Sequence, residues 1–395
     1  MRIAYVCADP GVPVFGRKGC AVHVQELIRA FQARGASVEL FAVRVGDVPP
    51  AGEDLRVRAL PAVRDDEPVA HARAVAAFNR HLRDVLEWEG PYDLVYERYS
   101  LWSFAAMEHT RASGVPGLLE VNAPLIVEQA AYRGLRDSGG AHDAARRAFG
   151  AATALIAVSR EVAVWLEGYA AARGRVHVVP NGVDPARFRP DVPPLALGRA
   201  GTFTVGFVGS MKPWHGLDVL LEAFDHLRRQ AGDARLLLVG DGPARAALWA
   251  DVSARGLVES VQFAGSVAPE VVPGLLTSMD VAVAPYSEAE RFYFSPLKVY
   301  EYLAAGRPVV ASRVGQLGTL LRHDDNGLLC APGDSMALAA ALDRLRLDRG
   351  LRARLGARAR ASVLHHHTWD AVVKRILGLA RSDRHVHGHA ERVEA

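Results

Sequence analysis

The sequence predicts an α/β protein of two Rossmann-like domains, each built on a parallel sheet. Short apolar strands alternate with helical segments along the 395 residues, a pattern that is typical of parallel sheets. The alternation begins at Arg2 and restarts at Phe203, each time as a strand, a glycine-containing loop and a helix. Three prolines between residues 189 and 201 are typical of a linker, so we expect domains over 1–190 and 191–367.

The first domain opens with a predicted strand over 2–8, a loop over 9–19 rich in glycine and proline, and a helix over 21–34. Apolar residues recur at near-helical spacing in that helix, and a strand over 37–43 completes a β-loop-α-β unit. The remaining elements of this half are predicted strands at 94–96, 117–121, 154–158 and 176–179 and helices at 69–89, 143–149 and 159–172.

The second domain repeats the alternation. Its predicted elements are strands at 203–208, 234–239, 261–263, 281–284 and 308–311 and helices at 217–230, 244–256 and 295–305. From Met336 onward the chain is helical and rich in arginine, which indicates a solvated helix face, with a membrane-surface patch as the alternative. The polar, histidine-rich tail over 382–395 is predicted to be flexible.

The composition limits the classes of protein to consider. Hydrophobic residues are 50% and charged residues 23%, which excludes wholesale disorder. A net charge of +3 is too small to indicate nucleic-acid binding, and three scattered cysteines exclude a disulfide framework and a cysteine-rich zinc site. The sequence contains no run of 18 apolar residues and no signal-peptide pattern, so we expect a cytoplasmic protein without a transmembrane helix.

Lysine is rare in this chain, since it accounts for only four of the 47 cationic residues. Three of the four, Lys18, Lys212 and Lys298, nevertheless lie in loops that contain glycine or proline. A compact ammonium serves a phosphate as a point charge, and arginine does not replace it there. The pattern indicates phosphate binding; coincidence among four residues is the alternative.

The segment from residue 295 predicts an anion site at the start of a helix. Ser295 is a preferred N-cap, Pro296 suits the first helical position, and Leu297 and Lys298 follow in the first turn. The unpaired amides of that turn and the Lys298 ammonium would bind phosphate together. Glu301, one turn later, could accept hydrogen bonds from a ribose diol. The alternative is a capped helix with a solvated Glu301.

Two more loops fit phosphate binding. The loop over 208–216 lies beyond the carboxyl end of a strand, where doubly wound sheets bind ligands. Gly209 allows a close backbone approach there, and Lys212 and His215 could donate to phosphate oxygens. A glycine-rich loop that ends at Gly19 opens the first helix of the first domain. The spacing matches neither a dinucleotide fingerprint nor a P-loop.

Several motifs taken together resemble glycosyltransferase family 4. The segments that carry this resemblance are 179–188, 208–224, 238–243, 301–310, 326–329 and 368–369. The resemblance implies the GT-B fold with two domains that face a cleft, a nucleotide-sugar donor, retention of the anomeric configuration and no obligatory metal. It also implies that the last helix, at 368–381, crosses back to the first domain.

The chain departs from the family pattern in the donor-sugar loop. The family usually carries two glutamates with seven residues between them, and Glu301 matches the second. Tyr293 stands at the position of the first, so Glu288 or Glu290 from the same loop could replace it. An arginine and a lysine usually follow the first strand of the second domain, where this chain has Ser210 and His215.

The first domain departs from the family too. Relatives often carry a histidine near the donor sugar in the segment that matches 96–102, and this chain has none there. The candidates for the sugar and acceptor side in this domain are Glu97, Arg98, Glu120 and Asn122.

The residues and the resemblance together predict a retaining glycosyltransferase that transfers a sugar from a nucleotide sugar, with a UDP-sugar favoured, to a hydroxyl acceptor. Lys212 and Lys298 would stabilise the leaving diphosphate, and no separate cofactor is expected. Glycan, lipid-linked and small-molecule acceptors stay open, as do peripheral membrane contact and a monomer or homodimer; nucleic acid is not an expected partner. The alternatives are a nucleotide-sugar 2-epimerase of the same fold and a non-catalytic nucleotide-sugar binding protein.

Overall fold

A computed structural model of the chain describes residues 1–47, 55–63, 68–195, 201–287 and 292–390. The chain divides into two compact units. Unit 1 consists of Met1–Pro180, Tyr293–Ser295 and Trp369–Ala395, and unit 2 consists of Asn181–Phe292 and Pro296–Thr368. The first boundary therefore lies at Pro180 and not at the predicted residue 190. Residues 181–190 pack within unit 2, where Arg360 donates to the Phe188 carbonyl at 2.8 Å.

Within the described residues, unit 1 is built on a seven-stranded parallel sheet. Its strands are β1 (Arg2–Cys7), β2 (Ser37–Ala42), β3 (Arg56–Ala59), β4 (Leu94–Arg98), β5 (Gly117–Val121), β6 (Ala154–Ala157) and β7 (Val176–Val178). The sheet order is β3-β2-β1-β4-β5-β6-β7. The central strands are buried and mostly apolar because parallel sheets are covered on both faces. The prediction missed β3, an edge strand whose sequence contains two arginines.

Six helices of unit 1 precede the second sheet in the described chain. They are α1 (Gly19–Ala33), α2 (Pro68–Glu89), α3 (Ala105–Ser113), α4 (Leu125–Tyr132), α5 (Ser138–Ala151) and α6 (Arg160–Glu167). The Asp137 and Ser159 side chains cap the amino ends of α5 and α6 by accepting backbone hydrogen bonds. The prediction missed α3 and α4, which follow the carboxyl ends of β4 and β5.

Unit 2 contains a six-stranded parallel sheet in the part of the chain that is described. Its strands are β8 (Phe203–Val208), β9 (Ala234–Val239), β10 (Val261–Gly265), β11 (Val281–Ala284), β12 (Val309–Ser312) and β13 (Leu328–Cys330). The order β10-β9-β8-β11-β12-β13 places β8 beside β11 at the point where strand order reverses. Such a reversal is the usual position of a ligand in open α/β sheets.

The helices of unit 2 are α7 (Leu217–Gln230), α8 (Arg245–Ala254), α9 (Val272–Thr277), α10 (Leu297–Ala304), α11 (Leu317–Leu320), α12 (Ser335–Leu347) and α13 (Arg349–His366). The last helix, α14 (Trp369–Ala390), belongs to unit 1, where Asp370 pairs with Arg34 at 2.8 Å. Its backbone stays helical through residues 382–390, which we predicted to belong to a flexible tail. Residues 391–395 of that predicted tail lie outside the described residues.

The arginine-rich run of α12 and α13 makes contacts inside unit 2. Arg344 pairs with Asp324 at 2.7 Å, and Arg358 pairs with Asp325 at the same distance. These two side chains therefore pair with acidic groups of the same unit. None of the described helices combines the length and apolarity that crossing a bilayer requires.

Candidate functional site

Lys298 lies in the first turn of α10 and points its ammonium into the interior of unit 2. The Nζ atom is buried and has no hydrogen-bond partner among the described residues. It lies over two aromatic rings, 4.3 Å from the centroid of Phe207 and 5.2 Å from that of Tyr286. Burial lowers the pKa of Lys298 to about 7, against a smaller opposite effect of Glu301. A desolvated ammonium of this kind has a strong tendency to bind an anion.

Glycine is required at the loop that contacts this ammonium. Gly209 follows β8 with φ +144°, and a Cβ there would lie 2.9 Å from the Lys298 Nζ. Gly240 follows β9 with φ +126°, and its Cβ would lie 2.0 Å from the Gly209 carbonyl oxygen. Only glycine combines these backbone conformations with such close approaches. The loop after β8 therefore presents backbone, not side chain, to the space beside Lys298.

A buried tyrosine fixes α10 to the end of β8. The Tyr302 hydroxyl accepts a hydrogen bond from the Val208 amide at 2.7 Å and donates one to the Val208 carbonyl at 3.2 Å. These two bonds hold the first turn of α10 next to the glycine loop. The position of Lys298 is thus set by the rigid core of the unit.

The hydrogen bonding of His215 in the structure differs from its predicted role as a donor to phosphate. Its Nδ1 donates to the Ser210 carbonyl at 2.5 Å, so the remaining Nε2 accepts when the ring is neutral. Burial, followed by the charge of Lys298, lowers the pKa of His215 to about 3. The ring is therefore neutral at physiological pH. Lys212 is half-buried, with its Nζ 5.5 Å from the centroid of the Trp214 indole.

The start of α10 differs in detail from the prediction. The helix begins at Leu297 after Pro296, and no side chain caps it. The predicted N-cap role of Ser295 is wrong, as is the first helical position of Pro296, because Pro296 itself occupies the N-cap position. Ser295 is buried and belongs to unit 1. Glu301 is half-buried one turn along α10. In unit 1, Gly19 is the first residue of α1.

The acidic candidates of unit 1 lie in its interior. Glu97, at the end of β4, is fully buried and accepts a hydrogen bond from the Ser103 hydroxyl at 2.5 Å. Burial raises the pKa of Glu97 to about 7. The Glu120 carboxylate accepts from His23 Nε2 at 2.8 and 2.9 Å, and Arg98 Nη1 lies 3.9 Å from it. The structure thus places these side chains in contacts that join β4, β5 and α1.

The remaining predicted residues of the sugar and acceptor side are Asn122, Tyr293 and Glu288. Asn122 follows β5, and its Oδ1 has no hydrogen-bond partner in the described parts of the chain. Tyr293 belongs to unit 1, where its carbonyl accepts from the Ser159 hydroxyl at 2.8 Å. Burial, followed by the negative charge of Glu128, raises the pKa of Tyr293. Glu288 and Glu290 lie outside the described residues.

Unit 1 contains a cavity of about 250 Å³ at the carboxyl ends of β1 and β4. Its polar and aromatic lining consists of Asp9, His71, Trp102, Glu128, Gln129 and Arg133. The sequence prediction missed these residues. Asp9 and Trp102 could have been found, since each follows a predicted strand at the edge where ligands bind. The lining residues on α2 and α4 could not have been found in this way, because only the tertiary fold brings these helices to the cavity.

The low pKa of Lys298 leads to a pH prediction. Below about pH 7 the ammonium is charged and attracts an anion; above pH 7 the free protein must first take up a proton. We therefore expect the affinity for pyrophosphate to fall as pH rises from 7 to 9, by up to tenfold per unit. Calorimetry at pH 8 in two buffers of different ionisation enthalpy would detect the proton uptake. An affinity that is constant over this range would contradict the assignment.

Comparison with known families matches both units. Residues 17–187 match the family described as Glycosyltransferase Family 4, and residues 202–348 match the family described as Glycosyl transferases group 1.

Relatives and solved structures agree with these matches. A D-inositol 3-phosphate glycosyltransferase from Acidothermus cellulolyticus is 31% identical over 95% of this chain and 86% of its own. A phosphatidyl-myo-inositol mannosyltransferase from Mycobacterium leprae is 35% identical over 50% of this chain and 51% of its own. Among solved structures, sucrose-phosphate synthase from Thermosynechococcus elongatus has a TM-score of 0.74 at 20% identity, covering 98% of this chain and 100% of that one.

Proposed function

Because this chain belongs to glycosyltransferase family 4, we propose that it transfers a sugar from a nucleoside-diphosphate sugar to a hydroxyl acceptor with retention of the anomeric configuration. The predicted GT-B fold is confirmed by the two parallel-sheet units and the likeness to solved glycosyltransferases. The observation that carries the donor proposal is the buried ammonium of Lys298.

The proposed chemistry depends on stabilising the leaving diphosphate. As the bond between the anomeric carbon and the bridging oxygen breaks, negative charge grows on that oxygen and positive charge on the sugar ring. Lys298, Lys212 and the first-turn amides of α10 are the groups that we assign to this charge. A well-placed donor at such a position contributes roughly 3–4 kcal/mol to transition-state stabilisation. The acceptor oxygen forms the new bond to the anomeric carbon and the leaving phosphate takes the acceptor's proton, so no side chain is required as nucleophile or as general base.

We assign the ribose of the donor to Glu301. A carboxylate one turn after the phosphate site can accept hydrogen bonds from both ribose hydroxyls. The change Glu301→Gln is therefore expected to weaken the binding of UDP about tenfold and to leave the binding of pyrophosphate unchanged, since pyrophosphate has no ribose. Calorimetric titration of both ligands into wild type and variant measures this difference. Equal losses for the two ligands would remove the ribose role.

We propose a ring hydroxyl as the acceptor group. The Acidothermus relative bears the name D-inositol 3-phosphate glycosyltransferase, which supports an acceptor of the sugar or cyclitol type. We also propose a UDP-sugar as donor, with no separate cofactor and no metal requirement. The predicted alternatives, an epimerase and a non-catalytic binding protein, gain no support from the named relatives, which are transferases.

The test is hydrolysis of UDP-, GDP-, ADP- and dTDP-sugars without acceptor, each with and without EDTA. We expect release of UDP from one of the UDP-sugars at the same rate in both conditions. Release that EDTA abolishes would contradict metal independence, and release of another nucleotide would replace UDP as the donor nucleotide. Conversion of a donor into its C2 epimer would instead favour the epimerase. Binding of UDP without release from any donor, even when sugars and cyclitols are added as acceptors, would favour the binding protein.

A further inference from the structure

The cavity of unit 1 is lined by other residues than the proposed donor site, and the charges of those residues indicate which acceptor it could bind. We propose that it binds a single uncharged pyranose or cyclitol ring, with Trp102 as the stacking platform and Asp9 and Glu128 as hydroxyl-binding groups, and that it discriminates against phosphorylated rings. This inference rests on the proposed function, because it specifies the acceptor of that transfer.

The size and place of the cavity fit one ring. Its volume of about 250 Å³ is below the roughly 300–1,000 Å³ that is typical of sites for drug-sized ligands. The cavity lies beyond the carboxyl ends of β1 and β4, where an open parallel sheet binds ligands.

Trp102 has a strained backbone conformation in the cavity wall. Its φ is +74°, a value that L-residues other than glycine rarely adopt and that costs about 1–3 kcal/mol. The indole lies edge to face with the His71 ring at a centroid distance of 4.5 Å. An aromatic side chain that the fold holds in a strained turn beside a cavity indicates a ligand-binding role, because strained backbone conformations cluster at functional sites.

Asn79 of α2 holds this turn in place. Its buried side-chain amide donates to the Trp102 carbonyl at 2.8 Å and accepts from the amides of Phe104 and Ala105 at 3.0 Å. The Trp102 backbone is therefore tied to the core on one side and to the start of α3 on the other. The backbone that carries the indole is thus fixed beside the cavity that Trp102 lines.

The charges that line the cavity favour a neutral ligand. The charged groups of the lining are two carboxylates, those of Asp9 and Glu128, and one guanidinium, that of the exposed Arg133. Asp9 accepts from the Gly11 amide at 2.7 Å, which holds its carboxylate in position. A carboxylate has about four lone-pair positions, which leaves several for ligand hydroxyls. A phosphate dianion in the same space would be repelled by both.

The experiment measures binding of small rings to the full chain in the presence of UDP, by saturation-transfer NMR titration. The neutral probes are methyl α-D-glucopyranoside, methyl α-D-mannopyranoside and myo-inositol. The charged probes are glucose 6-phosphate, mannose 6-phosphate and inositol 1-phosphate. We expect at least one neutral ring to bind at least tenfold more tightly than its phosphorylated counterpart.

Substitutions of three lining residues test the roles that we propose for them. Trp102→Gly removes the indole while it suits the positive φ, so the backbone turn is retained; ring binding should fall at least tenfold. Trp249→Ala removes a half-exposed tryptophan from α8 of unit 2 and should leave ring binding unchanged. The double change Asp9→Asn with Glu128→Gln should reduce the discrimination against phosphorylated rings at least tenfold. A melting curve for each variant verifies folding.

Three results would overturn the inference: no binding of any neutral ring, equal or tighter binding of the phosphorylated rings, or full ring binding by a folded Trp102→Gly variant. The donor panel distinguishes this outcome from failure of the proposed function. Donor hydrolysis without ring binding supports the transferase and overturns the acceptor site. Ring binding that Trp102→Gly abolishes, with no donor turned over, supports the ring site and contradicts the proposed transfer.

Discussion

Replacement of Lys298 by methionine is expected to weaken UDP binding by about 1.5–3 kcal/mol, or roughly 10- to 150-fold, the usual worth of a hydrogen bond to a charged group. Methionine has a similar length and fills the space over Phe207 and Tyr286 without a charge. The turnover of donor should fall with the affinity, since the same ammonium is assigned to the leaving diphosphate. Calorimetric titration with UDP at pH 6.5 measures the effect where Lys298 is charged.

The same change should stabilise the protein without ligand. The wild type holds a buried ammonium that has no hydrogen-bond partner in the described chain, and leaving such a group unpaired costs about 1–3 kcal/mol or more. The folded-state pKa of about 7 lies below the usual 10.5, so wild-type stability rises as pH increases from 7 to 10.5. The increase in the free energy of unfolding that Lys298→Met produces should therefore be largest below pH 7 and nearly absent at pH 10.

Lys374→Met is the matched control, because Lys374 is exposed on α14 in unit 1. It should change neither the melting temperature nor UDP affinity. A Lys298→Met protein that is folded, less stable at pH 6 and unchanged in UDP affinity would contradict both parts of the prediction.

The loops that we propose to bind the donor have local signals in the sequence. A lysine two residues after a proline at the start of a helix, and glycine after an apolar strand, are recognisable in a few residues, and the structure places Lys298 next to Gly209. The state of His215 could not be predicted in this way. Its neutrality depends on burial and on the charge of Lys298, both of which come from the packing of α10 against β8.

The candidate residues in unit 1 show where a local sequence pattern does not predict the position of a side chain. Glu97 and Glu120 follow the pattern of polar residues near strand ends, but the fold turns both carboxylates into the core. The cavity is lined instead by α2 and α4, and α4 was not predicted because its eight residues show little helical periodicity in sequence. Short helices are determined by tertiary contacts more than by local propensity.

Replacement of Glu120 by alanine is expected to destabilise unit 1 by about 3–5 kcal/mol, the cost of removing one partner from a buried ionic cluster. Its side chain is 3% exposed and lies 2.8 Å from His23 and 3.9 Å from Arg98, which would be left buried without their carboxylate. Although burial alone would raise the pKa of Glu120, His23 and Arg98 outweigh it and lower the pKa below 4.5.

The sign of the pH effect follows from that lowered pKa. The stability that Glu120 contributes is fully present above its unfolded-state pKa of about 4.3 and is lost as pH falls through the lower folded-state pKa. The difference between wild type and Glu120→Ala should thus be present at neutral pH and should shrink in acid. Because a two-unit chain need not unfold in one step, the measurement is native-state hydrogen exchange at the amides of β5. The change Glu259→Ala, at an exposed glutamate of unit 2, should leave that exchange unchanged. Exchange at β5 that is equally slow in Glu120→Ala and wild type would show that the His23–Glu120–Arg98 cluster does not stabilise the sheet.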